Sequence, residues 1–382
     1  MSTAVELGPN DSNRKLPVRI FLSGDVMIGR GIDQILPYPC DPRLYEPLVT
    51  SATEYLRLAE QMNGPITKPA NLEYVWGAAL EEIRRRKPDA YIINLETSIT
   101  YSDTYLPKGI NYRVSPENAE CLRAAEVDCC ALANNHILDW GRAGLLETMA
   151  TLEDMNIKFS GAGCNLAQAR TPAVLEVAGN RRVIVFAFAS ATSGTPRNWM
   201  ATESVPGVNL LADLSDGSAE ELTAQVNQVK RPDDIVIVSV HWGPNWGYDI
   251  PEQQRRFARK LIDDSGISVL FGHSSHHAKA IEVYQQRLIL YGCGDFLNDY
   301  EGITGYEEYR DDLAPLYAAT FDPMSADLLD LEIIPFQIQR FQLNQTSDKD
   351  SVWLRETLDR ESRRFGVRIR LNPDGGLTAL WA

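Results

Sequence analysis

The chain runs to 382 residues, 44% apolar and 23% charged, with a formal net charge of −15. That surplus of acid repels phosphate backbones and anionic bilayers, so nucleic acid and membrane surfaces are set aside as partners. The first fifteen residues are polar and no stretch approaches 18 apolar residues, so neither a signal peptide nor a membrane span is expected, and the six cysteines form no C-x-x-C pair. The expectation is a cytoplasmic protein with reduced thiols and no thiolate zinc knuckle.

Residues 1–15 are polar and read as a disordered tail, which leaves 16–382 as a single catalytic domain. A first strand is expected over 18–22, running into Gly24-Asp25. Apolar positions at Leu72, Val75, Trp76, Ala79 and Leu80 predict a helix over 71–86, stopped by Pro88. A strand over 90–93 ends in Asn94-Leu95-Glu96. Ser115 before Pro116 marks a helix start. A strand over 128–132 follows, then Asn134-Asn135-His136 and a helix over 144–156. Further strands are expected over 182–188, 235–240, 269–271 and 287–291, with a helix over 251–264. The stretch 328–342 alternates apolar and polar residues and reads as a final antiparallel strand, and 349–365 as a charged helix. Continuous apolar runs such as Ile235 to Val240 suit strands covered on both faces. Strand, loop and helix in alternation predict an α/β fold.

The chemistry concentrates where strands end. All five histidines, His136, His241, His273, His276 and His277, follow predicted strands at their carboxyl ends. Asp25, Asn94, Glu96, Asn134, Asn135 and Asp295 occupy positions of the same kind. A lone histidine is more often structural than catalytic, and Asp25 alone suits a turn. The set outweighs its members, because no histidine lies elsewhere and ligands of open α/β sheets bind outside the carboxyl ends of the strands. Carboxylate and amide oxygens with imidazoles suit one divalent cation, with Ca²⁺, Mg²⁺, Mn²⁺ and Zn²⁺ all open.

At these motifs the chain resembles the CapA-type proteins, named for poly-γ-glutamate capsule synthesis. The matching stretches are Gly24-Asp25-Val26-Met27, Asn94-Leu95-Glu96, Ala133 to His136 with Asp139, His241-Trp242-Gly243, Gly272 to His276 and Gly292 to Phe296, in family order over roughly residues 18–320. The resemblance implies a four-layer, calcineurin-like metallophosphoesterase sandwich of the α/β/β/α kind, with a metal site at the sheet edge. It places Asp25, Glu96, Asn135, His241 and His276 at the metal. His136 matches the acid/base histidine of the phosphoesterase Asn-His motif, and Asp139 or Asp295 would orient a histidine. The chain departs from the phosphoesterases in three places: Met27 stands where they carry a histidine, Glu96 where they carry an aspartate, and Gly272 to His276 holds one extra residue. A full two-metal cage is therefore not expected, and a two-metal clamp for phosphoryl transfer would be weakened.

Three functions compete. A metal-activated water would hydrolyse a phosphoester or amide. Paired acid and base groups would invert a Cα centre, removing the proton on one face and returning it on the other. A catalytically idle module would bind polyglutamate, as a synthesis or export factor does; the acidic chain ranks this last. The CapA-like proteins also resemble the epimerases of lasso-peptide biosynthesis, which invert a residue of a ribosomally made precursor peptide. The reduced metal cage, the lack of an exporter's anchor and the aromatic site loops (Trp199, Trp242, Trp246, Tyr248, Tyr300) favour that branch. The expected enzyme is a metal-dependent peptide epimerase. His136, Asp139, His273 and Asp295 would carry protons, and Asn134, Trp242, Trp246, Tyr248 and His277 would hold the peptide.

Overall fold

Period-two alternation within the strands decides which face each side chain covers, and so builds the layers. A computed structural model describes residues 16–382; the tail expected over 1–15 lies outside them. In the opening strand Val18–Val26, the side chains of Val18, Ile20 and Leu22 meet Val183, Val185, Ile235, Ile237, Val269 and Phe271 of a second sheet. Phe21 points the other way, into a cluster with Leu80, Ile83, Leu122, Leu145 and Leu152 of covering helices. In the second sheet Ile184, Phe186, Val236 and Val238 likewise turn outward, under Leu222, Val226, Phe257 and Leu261. The result is helix, sheet, sheet, helix: the expected four-layer α/β/β/α sandwich.

The first sheet is ten-stranded. Val18–Val26 runs parallel to Ala90–Leu95, which is followed in the sheet by Cys129–Ala131 and Lys158–Ser160, and antiparallel to Leu313–Phe321 on its other side. The second sheet is seven-stranded and centres on the parallel strands Arg181–Ser190, Ile235–His241 and Val269–His273. The carboxyl ends of both parallel sets meet at one edge of the sandwich, where Asp25 and His273 come within 3.7 Å. Among the described residues no helix is long and apolar enough to cross a membrane.

Several elements differ from expectation. The helix expected over 71–86 is a 3₁₀ turn, Tyr74–Trp76, followed by the α-helix Gly77–Arg86. Gly77 has φ +42, and a Cβ there would lie 2.3 Å from the Leu343 carbonyl oxygen, so the neighbouring chain forces the break. The helix after Ser115 is only the short turns Asn118–Glu120 and Cys121–Ala124, although Ser115 Oγ does accept the Asn118 N–H at 3.1 Å. The strand expected over 328–342 stops at Ile338, because Arg340 and Phe341 turn with φ near +55. Nor is it the last: the hairpin Arg368–Leu371 and Leu377–Leu380 adds two more strands to the sheet, reading as charged chain because Arg368 and Arg370 alternate with Ile369 and Leu371. The central strand Leu313–Phe321 and the helices Ala52–Asn63 and Asp216–Val229 were not expected.

Candidate metal centre

The site begins with a close approach of two backbones. Asp25 at the end of the opening strand pairs in register with Asp295, and a Cβ at Gly24 would lie 1.8 Å from the Gly294 carbonyl oxygen. Only glycine lets these two aspartates sit side by side. Asp25 is held through both oxygens. Oδ1 accepts the Asn94 amide at 2.7 Å and Oδ2 accepts the Ser274 N–H at 3.1 Å. Ser274 has φ +100, an unfavourable conformation for a side-chain-bearing residue, and its Oγ donates to the Gly243 carbonyl at 3.1 Å. Strain of this kind persists where surrounding contacts over-determine the backbone.

Around Asp25 the donor atoms form two sets. Asp25, His241 and His273 offer ligand atoms within 4.8 Å of one another, and so do Asp25, Glu96 and Asp295; Asp25 belongs to both. His241 Nδ1 and His273 Nδ1 are 2.7 Å apart, so one proton lies between them. Asn135 Oδ1 faces His241 Nε2 at 3.0 Å, which assigns that nitrogen a proton and leaves His241 Nδ1 the acceptor. His273 Nδ1 then donates, and its Nε2 accepts from Ser239 Oγ at 2.6 Å. Burial pushes His273 down to about 3, and burial with the neighbouring His273 holds His241 well below the ordinary imidazole range. Both rings are neutral, as metal-ligating imidazoles must be.

The carboxylates are in the opposite state. Burial, and then the charge of Asp295, push Asp25 up to about 8; burial, Asp25 and Asp295 raise Glu96 well above the carboxylate range. No lysine or arginine among the described residues lies within ion-pair distance of the three. Buried charges of one sign are costly unless a cation compensates them. An all-oxygen set beside two neutral imidazoles is a donor chemistry that a divalent cation fits.

Two further histidines carry carboxylate partners. His136 Nδ1 lies 2.6 Å from Asp139 Oδ2, which also accepts the Tyr112 N–H at 2.7 Å. Asp139 Oδ1 faces Lys108 Nζ at 2.7 Å, and Lys108 donates as well to the Asn135 carbonyl. Burial takes His136 down to about 4, with Asp139 resisting and Lys108 assisting. It is a neutral imidazole with Nδ1–H on Asp139 and its Nε2 lone pair uncommitted. His276 Nδ1 lies 3.0 Å from Asp295 Oδ1, and its Nε2 is 2.9 Å from Asn245 Nδ2. Burial lowers His276, but Asp295 and Asp25 raise it more, so its net shift is upward; in this geometry Nδ1–H points to Asp295 and Nε2 accepts from the Asn245 amide.

The expected peptide-holding residues divide. Trp246 and Tyr248 are half-buried at the rim, Trp246 stacking on Tyr306 at 4.1 Å. Asn134 is fully engaged as a brace, donating to Asn94 Oδ1 and the Leu95 carbonyl and accepting the His136 N–H. Trp242, 2% exposed, packs on Phe257 and Tyr291 in the outer layer, and Trp199 is 3% exposed. His277, 1% exposed, is enclosed by Trp246, Tyr248 and Tyr309. Met27 is buried, and its backbone N–H pairs with the Leu297 carbonyl, so no sixth imidazole reaches the centre.

Sequence reasoning missed Arg30, Lys108 and Tyr112. Arg30 is buried between Asp299 and Glu46, with its guanidinium 3.8 Å from the Tyr55 ring. Lys108 sits in a Pro-Lys-Gly loop with no periodic pattern around it, and nothing in one sequence marks such a residue.

Comparison with known proteins follows the geometry. Residues 19–300 match the family described as bacterial capsule synthesis protein PGA_cap. A probable polyglutamine synthesis accessory protein of Mycobacterium tuberculosis (strain H37Rv) is 46% identical over 359 residues, 94% of each chain. The capsule biosynthesis protein CapA of Bacillus anthracis is 24% identical over 91% of this chain and 74% of its own. A crystal structure of a novel phosphatase from Mycoplasma pneumoniae superposes at a TM-score of 0.47 with 9% identity, over 86% of this chain and 95% of that one. The chain belongs to the CapA-type family of bacterial capsule synthesis proteins.

Proposed function

We propose that this protein is a divalent-cation-dependent enzyme that moves a proton at a Cα centre of a peptide chain, an epimerase. One observation carries the reading: two separate His–Asp dyads, His136–Asp139 at 2.6 Å and His276–Asp295 at 3.0 Å, flank a single carboxylate cluster. The two imidazoles are shifted in opposite directions, which suits inversion. His136 is lowered and has a free Nε2, suited to remove a proton; His276 is raised by Asp295 and Asp25, which favours its taking up a proton and returning one. Lys108 and the Tyr112 N–H hold Asp139, and Asn298 Nδ2 holds Asp295 Oδ2 at 2.9 Å, so both imidazoles are oriented from behind.

Asp25, Glu96 and Asp295 with His241 and His273 would hold the cation, and Asn135 and Asn94 would orient them. Both ring nitrogens of His273 are engaged inside the protein, which removes it from the proton carriers; to serve as a ligand it would shift its proton from Nδ1 to Nε2, with Ser239 Oγ accepting, and turn the Nδ1 lone pair to the ion. The bound ion would supply positive charge to polarise a carbonyl oxygen. We take the number of ions as one. The name of the Mycobacterium tuberculosis relative directs the search for substrate to chains of glutamine or glutamate, with ribosomally made precursor peptides as the other class.

A second reading, hydrolysis of an amide or phosphoester, is favoured by a specific observation: Asp25 belongs to both donor sets, the arrangement a pair of ions would share. One experiment separates the two. The protein is incubated in D₂O with Mn²⁺ or Ca²⁺ and with polyglutamine, γ-linked glutamyl oligomers and a generic phosphate ester. Cα deuterium uptake without new amine or phosphate is the expected result. Release of amine or phosphate with no deuterium at Cα, and two ions per chain by elemental analysis, would overturn it in favour of hydrolysis. His136→Ala should lower the deuterium rate by about 10²–10⁴-fold with the fold intact.

A further inference from the structure

Two tyrosines join the dyads, and neither side chain has a role in the reading above. The Tyr112 ring stacks on the His136 imidazole, with centroids 3.9 Å apart and planes at 24°. The Tyr300 ring stands edge-on to His276, 5.2 Å away at 87°. Their hydroxyls meet at 2.7 Å. Tyr112 comes from the loop before Arg113–Val114 and Tyr300 from the chain after Asp295–Leu297, so the contact ties the two sides of the site together.

Proton counting makes this pair incomplete. Two hydroxyls bring two protons, and their mutual bond uses one. Among the described residues neither hydroxyl has another hydrogen-bond partner. A phenolic proton is therefore uncommitted; burial raises both phenols well above their ordinary range, with Glu96 adding to it at each, and keeps them protonated. Tyr112 is buried, while Tyr300 is half-buried. Behind the rings, the Arg30 guanidinium lies 4.8 Å from the Tyr112 centroid and 5.8 Å from that of Tyr300. A cation over the ring faces withdraws electron density and makes the hydroxyls better donors.

We propose that the Tyr112–Tyr300 hydroxyl pair is the hydrogen-bond donor for a substrate oxygen that gains negative charge, Tyr300 giving the proton of the bond and Tyr112 fixing its direction. The inference rests on the carboxylate cluster being a substrate site, and it deepens that reading by requiring an oxyanion in the reaction. A preorganised donor in a partly dry site acts on the oxygen where charge develops. Tyr300 is a catalytic residue in this assignment, and Tyr112 a positioning residue that also supports His136.

Two measurements test it. In the D₂O assay, Tyr300→Phe should lower kcat by about 10²–10³-fold with KM within threefold, because the bond is strong only once charge has developed. Tyr112→Phe keeps the stacking on His136 and should lower kcat by roughly tenfold. The second measurement needs no turnover: calorimetric titration of Mn²⁺-loaded protein with inorganic phosphate as a generic oxyanion. Tyr300→Phe should bind it about 10–100-fold more weakly than the parent, and Tyr112→Phe less so. Phosphate affinity in Tyr300→Phe within twofold of the parent, or no phosphate binding by the parent, overturns the proposal. If deuterium uptake is absent but the affinity loss is present, the epimerase reading falls while the donor assignment stands.

Discussion

Two groups of buried acids in this molecule are treated in opposite ways. At the sandwich edge, Asp25, Glu96 and Asp295 are at most 3% exposed, and their partners are imidazoles, amides and a backbone N–H. At the C-terminal end, Asp359 is as deeply buried but carries Arg363 and Arg368 and accepts the Ile369 N–H at 3.0 Å. Asp25 and Glu96 of the first group are pushed toward protonation by burial; Asp359 is held below the carboxylate range, chiefly by its bond to Arg368. The fold can compensate a buried acid with arginine, and it does so again one residue layer from the site, where Arg30 joins Asp299 and Glu46. Leaving three acids uncompensated is therefore a property of the site rather than of the scaffold, and it reserves the place for a cation.

The largest effect tests this directly. Dialysis against EDTA should abolish turnover, and one divalent ion per chain should restore it. Bound metal at about 100 times its Kd should add roughly 2.7 kcal/mol to stability, read as a higher Tm. Retained activity in protein shown metal-free by elemental analysis would remove the contrast between the two groups.

Next in size is the compensated cluster beside the site. Among the described residues Arg30 is the only lysine or arginine in ion-pair contact with Asp299 and Glu46, which are buried and hydrogen-bonded to it, and Arg30→Met removes it. Leaving buried charges unpaired should cost about 3–5 kcal/mol in chemical denaturation. A cost below 1 kcal/mol would mean that the cluster is not held as an ion pair.

The third effect reads the uncompensated group through pH. In metal-free protein the folded pKa of Asp25 lies above its unfolded value, at about 8. Its stability contribution is full below pH 4 and is lost as pH rises toward 8. Metal-free stability should therefore fall between pH 5 and pH 8 by roughly 4 kcal/mol, read as a lower Tm, and added Mn²⁺ should cancel the slope. Asp25→Asn should flatten the same slope while losing activity, and a metal-free protein equally stable across that range would count against the assignment.

The sequence displays one of these groups far better than the other. Asp25, His241 and His273 lie at the carboxyl ends of apolar strands, Glu96, His136 and His276 in the loops just after such strands, and Asp295 shortly after the strand Arg287–Leu290; strand ends converge by the geometry of the fold, so placement alone brought them together. The aromatic grip was less legible. Trp242 and Trp246 look alike in sequence, yet Trp242 continues the strand's alternation into the outer core while Trp246 lies on the rim. Lys108, Tyr112 and Arg30 act through loops whose positions depend on contacts 28 to 269 residues away, which no local period records. Leu313–Phe321 went unseen because Pro315 interrupts its apolar run, although the proline faces Pro335 in the neighbouring strand without breaking the ladder.

The smallest effect lies in the compensated acid far from the site. Asp359 ties the helix Asp348–Ser362 to the hairpin strand Arg368–Leu371 through Arg368 at 2.8 Å and the Ile369 N–H. The arginines are more than half exposed, so solvent screens their charge, and the buried backbone bond to Ile369 is the larger part of what Asp359 contributes. Asp359→Asn keeps the shape and one acceptor and should cost about 1 kcal/mol at pH 7. Because the folded pKa is depressed, that stabilisation is present above pH 4 and disappears as pH falls through the folded value. The difference in Tm between Asp359→Asn and the parent should thus shrink on acidification, whereas the difference for Asp25→Asn should grow as pH rises. Parallel pH profiles for the two variants would show that both acids are compensated alike, and would remove the distinction on which the metal assignment rests.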